Sequence, residues 1–95
     1  MKFAQLFLVD GSGRVGEQAL GALDIAAALN PGDPRIHNNR GSVLQLLGRI
    51  AEAEAAYRKA LELAPHLELP YLNLGKVLEQ QGKTQRAVEL YESAI

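Results

Sequence analysis

The chain has 95 residues, 47% of them hydrophobic and 22% charged, which is enough for one small domain with a modest core. Ten basic and eleven acidic residues are interspersed and give a formal net charge of −1, so there is no basic stripe to bind nucleic acid or an anionic membrane. Cysteine is absent, which excludes disulfides, thiol catalysis and thiolate metal sites. No apolar run approaches the ~20 residues of a membrane span.

The first ten residues, MKFAQLFLVD, have a superficial likeness to a signal peptide. Their apolar run is at or below the lower limit of the roughly 7–15 residues of a signal-peptide core, and Asp10 ends it. A cytoplasmic start, or a boundary within a longer chain, is the better interpretation. We therefore expect a cytoplasmic protein, with a short helix at about residues 2–9 and a better one at about 15–29.

Residues 11–16, GSGRVG, form a literal G-x-G-x-x-G after a short apolar run and before a helical pattern. That arrangement is typical of dinucleotide binding, where glycines let the backbone approach a pyrophosphate. Such a site also needs a second parallel strand that ends in an acidic residue about 20 positions later. Residues 31–37 read NPGDPRI instead, and two prolines argue against a strand. We favour a turn between two helices.

Residues 34–65 carry two helical patterns joined at Gly48, with apolar residues recurring at spacings of three and four on both sides. Asp33 and Pro34 supply an N-cap and a first-turn proline, and Pro65 lies just past the second pattern. These signals predict a helical hairpin.

A shift of 34 residues superimposes this hairpin on the sequence that follows it. The coincidences fall on small and apolar residues, which is where two close helix backbones restrict the choice of side chain. The identical residues are Asn39, Gly41, Val43, Leu44, Gly48, Ala53, Tyr57 and Ala60, which match Asn73, Gly75, Val77, Leu78, Gly82, Ala87, Tyr91 and Ala94.

Hairpins with this period resemble the tetratricopeptide repeat, whose pattern is W-x₂-L-G-x₂-Y, then A-x₃-F, then P. The tryptophan and leucine slots hold His37 and Arg40, which depart from the pattern. The slots are filled in turn by His37, Arg40, Gly41, Leu44, Ala53, Tyr57 and Pro65.

The resemblance implies an all-α solenoid of about three helical hairpins, some six helices in all, curving as a right-handed superhelix. We divide the chain into a degenerate unit one (residues 1–33), unit two (34–67) and unit three (68–95). Unit three stops before the slot of the closing proline.

In this family the first helices of successive units line a concave groove that holds a peptide or a partner helix. The resemblance therefore implies a non-catalytic scaffold or adaptor that binds protein, without cofactor or metal. Asparagine amides there would suit peptide backbone, or would instead bond the neighbouring helix, and two leucines form a candidate apolar anchor. The slots on this groove are Arg35, Asn38, Asn39, Ser42, Gln45, Leu69, Leu72, Asn73, Lys76 and Glu79.

Two other functions stay open from the sequence. The alternatives to an adaptor are a substrate-recruiting segment of a larger enzyme and a self-assembly module. For self-assembly, we expect a homodimer through the apolar final helix. Family members that grip acidic chaperone tails use a Lys, Asn and Arg clamp, of which only Asn39 is present. The other clamp slots hold Ala4, Leu8, Leu69 and Asn73.

Overall fold

The computed structural model describes residues 14–94, and the helix expected at residues 2–9 lies outside that range. Within the range all regular structure is α-helical, which confirms the predicted all-α class. The helices are α1 (Arg14–Leu29), α2 (Pro34–Leu46), α3 (Ile50–Leu63), α4 (Glu68–Gln80) and α5 (Thr84–Ala94).

Each helix packs against the next one along the chain, and α2 also contacts α4. Short turns join consecutive helices, so neighbours run antiparallel while α2 and α4 lie side by side in the same direction. This arrangement places the first helices of units two and three next to each other, as a concave groove requires.

The start of α2 follows from the predicted cap. Asp33 has an extended backbone, and its Oδ1 accepts from the backbone N–H of Arg35 at 3.0 Å. Pro34 takes the first helical position, where its missing N–H costs nothing. In contrast, α4 begins at Glu68, and its proline, Pro70, lies two residues inside the helix. A proline is tolerated there because the first four N–H groups of a helix have no partner inside it.

Two glycines end α2 and α4 in the same way. Gly48 has φ of +79° and Gly82 has φ of +76°, a left-handed conformation that a Cβ disfavours. At the first turn the N–H of Gly48 bonds the carbonyl of Gln45 at 3.0 Å, and that of Arg49 bonds the carbonyl of Leu44 at 2.9 Å. This pair of hydrogen bonds is a Schellman motif, and it satisfies two carbonyl groups that have no partner inside the helix.

Small residues mark the close approaches that the repeat predicted. A Cβ added to Gly41 would lie 2.6 Å from Cε1 of Tyr57, and one added to Gly75 would overlap the ring of Tyr91. Each glycine therefore lets a tyrosine of the second helix pack closely against the first helix. Gly16, from the glycine-rich motif, serves α1 in the same way, because a Cβ there would be 2.5 Å from Cδ2 of Leu47.

The core lies between α2, α3 and α4 and extends to one residue each of α1 and α5. Its buried members are Leu20, Leu44, Ala53, Ala56, Tyr57, Leu74, Val77, Leu78 and Ala87. Two large residues of α1 stay outside it, since Ile25 is 65% exposed and Leu29 is 82% exposed.

Candidate binding surfaces

Two pairs of amide side chains join α2 to α4 along the groove. Asn73 donates from Nδ2 to Oδ1 of Asn38 at 3.0 Å, and Gln45 donates from Nε2 to Oε1 of Gln80 at 2.7 Å. Amides suit this role because each both donates and accepts. The two pairs lie between the first helices of units two and three, and we call them the amide floor of the predicted groove.

The floor uses a different asparagine from the one that the sequence repeat suggested. Asn38 is only 6% exposed, while Asn39, which aligns with Asn73 in the repeat, is exposed. Asn73 therefore bonds the neighbouring first helix, and its partner there is the side chain of Asn38 rather than backbone. Asn38 is accordingly a packing residue, and Asn39 is the asparagine that a ligand can reach.

A buried tyrosine supports the floor from below. The hydroxyl of Tyr57 donates to Oε1 of Gln45 at 2.8 Å and lies 3.3 Å from Oγ of Ser42. Burial raises the pKa of Tyr57, and the hydrogen bond to Ser42 opposes that rise only in part. The hydroxyl therefore remains a donor at neutral pH and orients Gln45 toward Gln80.

The exposed part of the groove carries charges and leucines. Lys76 and Asn39 face solvent, and Leu69 is 56% exposed. Arg35 has an 81% exposed side chain, yet its guanidinium is held on the Asp33 carboxylate at 3.0 Å. That hydrogen bond lowers the pKa of Asp33, so the pair stays ionised.

One exposed residue of this surface was missed by the sequence. Leu46 is 82% exposed and occupies the repeat slot of Gln80, which the structure places in the floor pairs. The signal was present, because the 34-residue shift assigns Leu46 and Gln80 to one slot. With Leu46, α2 contributes an apolar side chain at the end of the groove opposite to Leu69.

The groove slots on α4 do not all face one surface. A cleft of about 540 Å³ opens at the end of unit three, and Leu72, which is 50% exposed, lines it. Tyr71 and Tyr91 line it too and are half-buried, and Tyr91 also packs against the core. The cleft is lined by Pro65, His66, Glu68, Tyr71, Leu72, Tyr91 and Ser93.

The remaining residue predicted for the groove, Glu79, contacts Tyr91, which lines the cleft. Its Oε1 accepts from the hydroxyl of Tyr91 at 3.1 Å. Burial and the adjacent carboxylate both raise the pKa of Tyr91. Glu79 therefore accepts a hydrogen bond from the hydroxyl of Tyr91, as Gln45 does from the hydroxyl of Tyr57.

Nothing in the described part of the chain forms a metal centre, since its His, Asp and Glu side chains make no cluster of three or more. None of the helices between residues 14 and 94 has the length and apolar character needed to cross a bilayer.

The geometry defines a class of protein: a helical-repeat scaffold whose first helices form one continuous surface. The family model described as tetratricopeptide repeat matches residues 24–95. The chain belongs to the tetratricopeptide repeat family, whose members generally bind proteins and are generally not catalytic.

Relatives and solved structures agree with this family. The human protein O-mannosyl-transferase TMTC2 is 42% identical over 62 residues, which cover 62% of this chain and 7% of that protein. The mouse BBSome complex member BBS4 is 36% identical over 70 residues, covering 74% of this chain and 13% of that protein. The crystal structure of MamA superimposes with a TM-score of 0.81 at 26% identity, over 96% of this chain and 51% of that one. The chain thus spans a small part of the two relatives and about half of MamA.

Proposed function

We propose that the concave surface of α2 and α4 binds an extended peptide or a partner helix, and that the chain acts as a non-catalytic adaptor. The amide floor carries this proposal. Asn38 is hydrogen-bonded to Asn73, and Gln45 is hydrogen-bonded to Gln80. Because these side chains are already held in place, the floor is preorganised and loses little conformational entropy when a ligand binds. Exposed Lys76 offers a polar contact above it.

The test uses a displayed library of random peptides, followed by fluorescence anisotropy with the best binder. The double variant Asn39→Ala, Lys76→Glu changes only exposed groove residues and should weaken binding at least tenfold. Lys59→Glu, an equal charge reversal on the exposed face of α3, is the control and should bind normally. If both variants bind like the parent, the groove is not the site.

A recruiting role within a larger enzyme is the second candidate. It is supported by the match to a relative named as a transferase, of which this chain spans 7%. Fusing the chain to an unrelated catalytic domain and measuring kcat/KM on groove-binding and non-binding substrates would test it. A lower KM for the groove-binding substrate alone is the expected result, and equal values would contradict recruitment.

Self-association through the final helix remains a prediction, and the 43% exposure of Val88 supports it. Sedimentation across a wide concentration range would test it, and a monomer throughout would contradict it. A cytoplasmic location is likewise our proposal, and fractionation of cells that express the chain would test it.

A further inference from the structure

The hydrogen bonds under the groove run in one direction. The hydroxyl of Tyr57 donates to Oε1 of Gln45, which leaves Nε2 of Gln45 to face the next helix. That nitrogen donates to Oε1 of Gln80 at 2.7 Å. The oxygen of the Gln80 side chain is therefore directed at α2. Because Gln80 is exposed, the group that it presents to solvent is its Nε2 amide, which can only donate.

A lysine lies beside this amide. Lys76 precedes Gln80 by four residues on α4, and side chains at that spacing are neighbours, with about 5–6 Å between their Cβ atoms. Lys76 is exposed and forms no ion pair with any residue between positions 14 and 94. The ammonium of Lys76 and the amide of Gln80 are thus two adjacent donors that a ligand can reach.

The two other charged residues predicted for the groove are already engaged. The guanidinium of Arg35 bonds the carboxylate of Asp33 through Nε and Nη2, at 3.1 and 3.0 Å. Glu79 accepts from Tyr91, which lines the cleft at the end of unit three. Within the described residues, Lys76 therefore gives the centre of the groove its positive charge.

Exposed leucines lie on both sides of the two donors. Leu69 is 56% exposed and precedes Lys76 by seven residues, which is two turns or about 10 Å along α4. Leu46 is 82% exposed and directly follows Gln45, whose amide contacts Gln80. The groove thus offers an apolar contact, a pair of donors and a second apolar contact.

We propose that the groove binds a peptide segment of a partner protein with an acidic side chain held between Lys76 and Gln80 and aliphatic residues on both sides of it. This rests on the groove function proposed above and names the chemistry of its ligand. A carboxylate fits because its two oxygens accept from both donors at once, and its single charge matches the single cation. A basic side chain there would meet an ammonium and N–H donors, which repel it. The two donors occupy other slots than the chaperone-tail clamp, of which only Asn39 is present.

The probe is the best groove binder from the displayed library of random peptides, synthesised with Glu, Gln or Lys at its acidic position. The selected peptides should be enriched in Asp and Glu. By fluorescence anisotropy, the Gln peptide should bind about tenfold more weakly than the Glu peptide. In the ¹⁵N-labelled chain, the side-chain amide signal of Gln80 should shift more with the Glu peptide than with the Gln peptide.

The substitution Gln80→Glu tests the donor directly. The new carboxylate still accepts from Nε2 of Gln45, so the amide floor is kept, but it offers no N–H and adds a negative charge. The variant should bind the Glu peptide more than tenfold more weakly than the parent and should bind the Lys peptide more tightly than the parent does. Gln85→Glu makes the same chemical change at an exposed position of α5 and should bind all three peptides like the parent.

Tyr57 is a positioning residue in this scheme, because it orients Gln45 and through it Gln80. Tyr57→Phe removes the hydroxyl, so the two amides can turn over. The ratio of affinities for the Glu and Gln peptides should fall from about tenfold to about threefold. A loss of stability alone would weaken both peptides equally and leave that ratio unchanged.

The outcomes separate this proposal from the groove function on which it rests. Groove binders that tolerate the exchange of Glu for Gln, or that bind Gln80→Glu like the parent, would overturn the acidic ligand and leave the groove function intact. A library that yields no peptide sensitive to the double variant Asn39→Ala, Lys76→Glu would overturn both.

Discussion

Tyr57 and Tyr91 occupy the same slot in units two and three, yet their surroundings differ. Each donates its hydroxyl to the residue 12 positions earlier, Gln45 or Glu79. Each also lies against a glycine of the first helix. Tyr57 is nevertheless fully buried, while Tyr91 is half-buried beside an open cleft. How far a repeat residue is buried thus depends on the unit that follows it. Tyr57 is buried because α4 of unit three packs over it.

The largest expected effect comes from filling the two glycine contacts. Gly41→Leu should destabilise the fold by about 3 kcal/mol, since Tyr57 is enclosed and cannot move aside. Gly75→Leu should cost about 1 kcal/mol less, because Tyr91 can swing into the cleft. Urea unfolding gives both values, and equal midpoints would show that the enclosure of Tyr57 does not matter.

The tyrosine hydroxyls give the next largest difference. Tyr57→Phe removes a buried hydrogen bond to Gln45 and should cost about 1 kcal/mol, with a smaller loss for Tyr91→Phe because water can reach Glu79. Thermal unfolding by circular dichroism would measure this. A larger loss from Tyr91→Phe would reverse the comparison.

The turn glycines should behave alike in the two units. Gly48→Ala and Gly82→Ala each force a Cβ into a left-handed conformation and should cost about 1 kcal/mol. No atom lies within 4 Å of either added Cβ, so packing makes no difference between them. Unfolding free energies that differ by more than about 1 kcal/mol would mean that the two turns are not equivalent.

The smallest expected effect is the loss of stability at acidic pH that is due to Glu54. Burial opposes the ionisation of Glu54, but Arg58 and Lys83 outweigh it and lower the pKa of this carboxyl from 4.5 in the folded chain, so its ionised form stabilises the fold above pH 4.5. That stabilisation is lost as pH falls through the lowered pKa. The parent should therefore exceed Glu54→Gln in stability at neutral pH, and the gap should narrow below pH 4.5. A gap that stays constant with pH would exclude the carboxylate as its source.

The hairpin of residues 34–65 could be predicted because its signals are local. A cap at Asp33, a left-handed glycine at Gly48 and a proline after α3 each act within a few residues. The glycine–tyrosine contacts were also predictable, since only a small residue fits where two helices touch. Because the chain repeats, the turn glycine and the glycine–tyrosine pair each occur in both unit two and unit three of the sequence.

The candidate binding surfaces were harder to predict, because the exposure of each residue depends on which helices pack beside it. Asn38 and Leu72 share one slot, but α4 covers Asn38 whereas the cleft leaves Leu72 half-exposed. Pairing of Asn73 with Asn38 rather than Asn39 depends on how two whole helices are offset. A single sequence assigns a residue to a slot and leaves that offset undetermined.

The offset has a geometric consequence. Asn38 pairs with Asn73 and Gln45 with Gln80, so each link joins residues one position further apart than the 34-residue repeat. Within one helix, the slots that bond the previous helix and those that bond the next are therefore adjacent, about 100° apart around the axis. Neighbours attached at 100° rather than on opposite sides cannot form a flat row. Two amide links, spaced two helical turns apart, thereby fix how α4 lies against α2, and the same offset repeated along an array would bend its first helices into an arc.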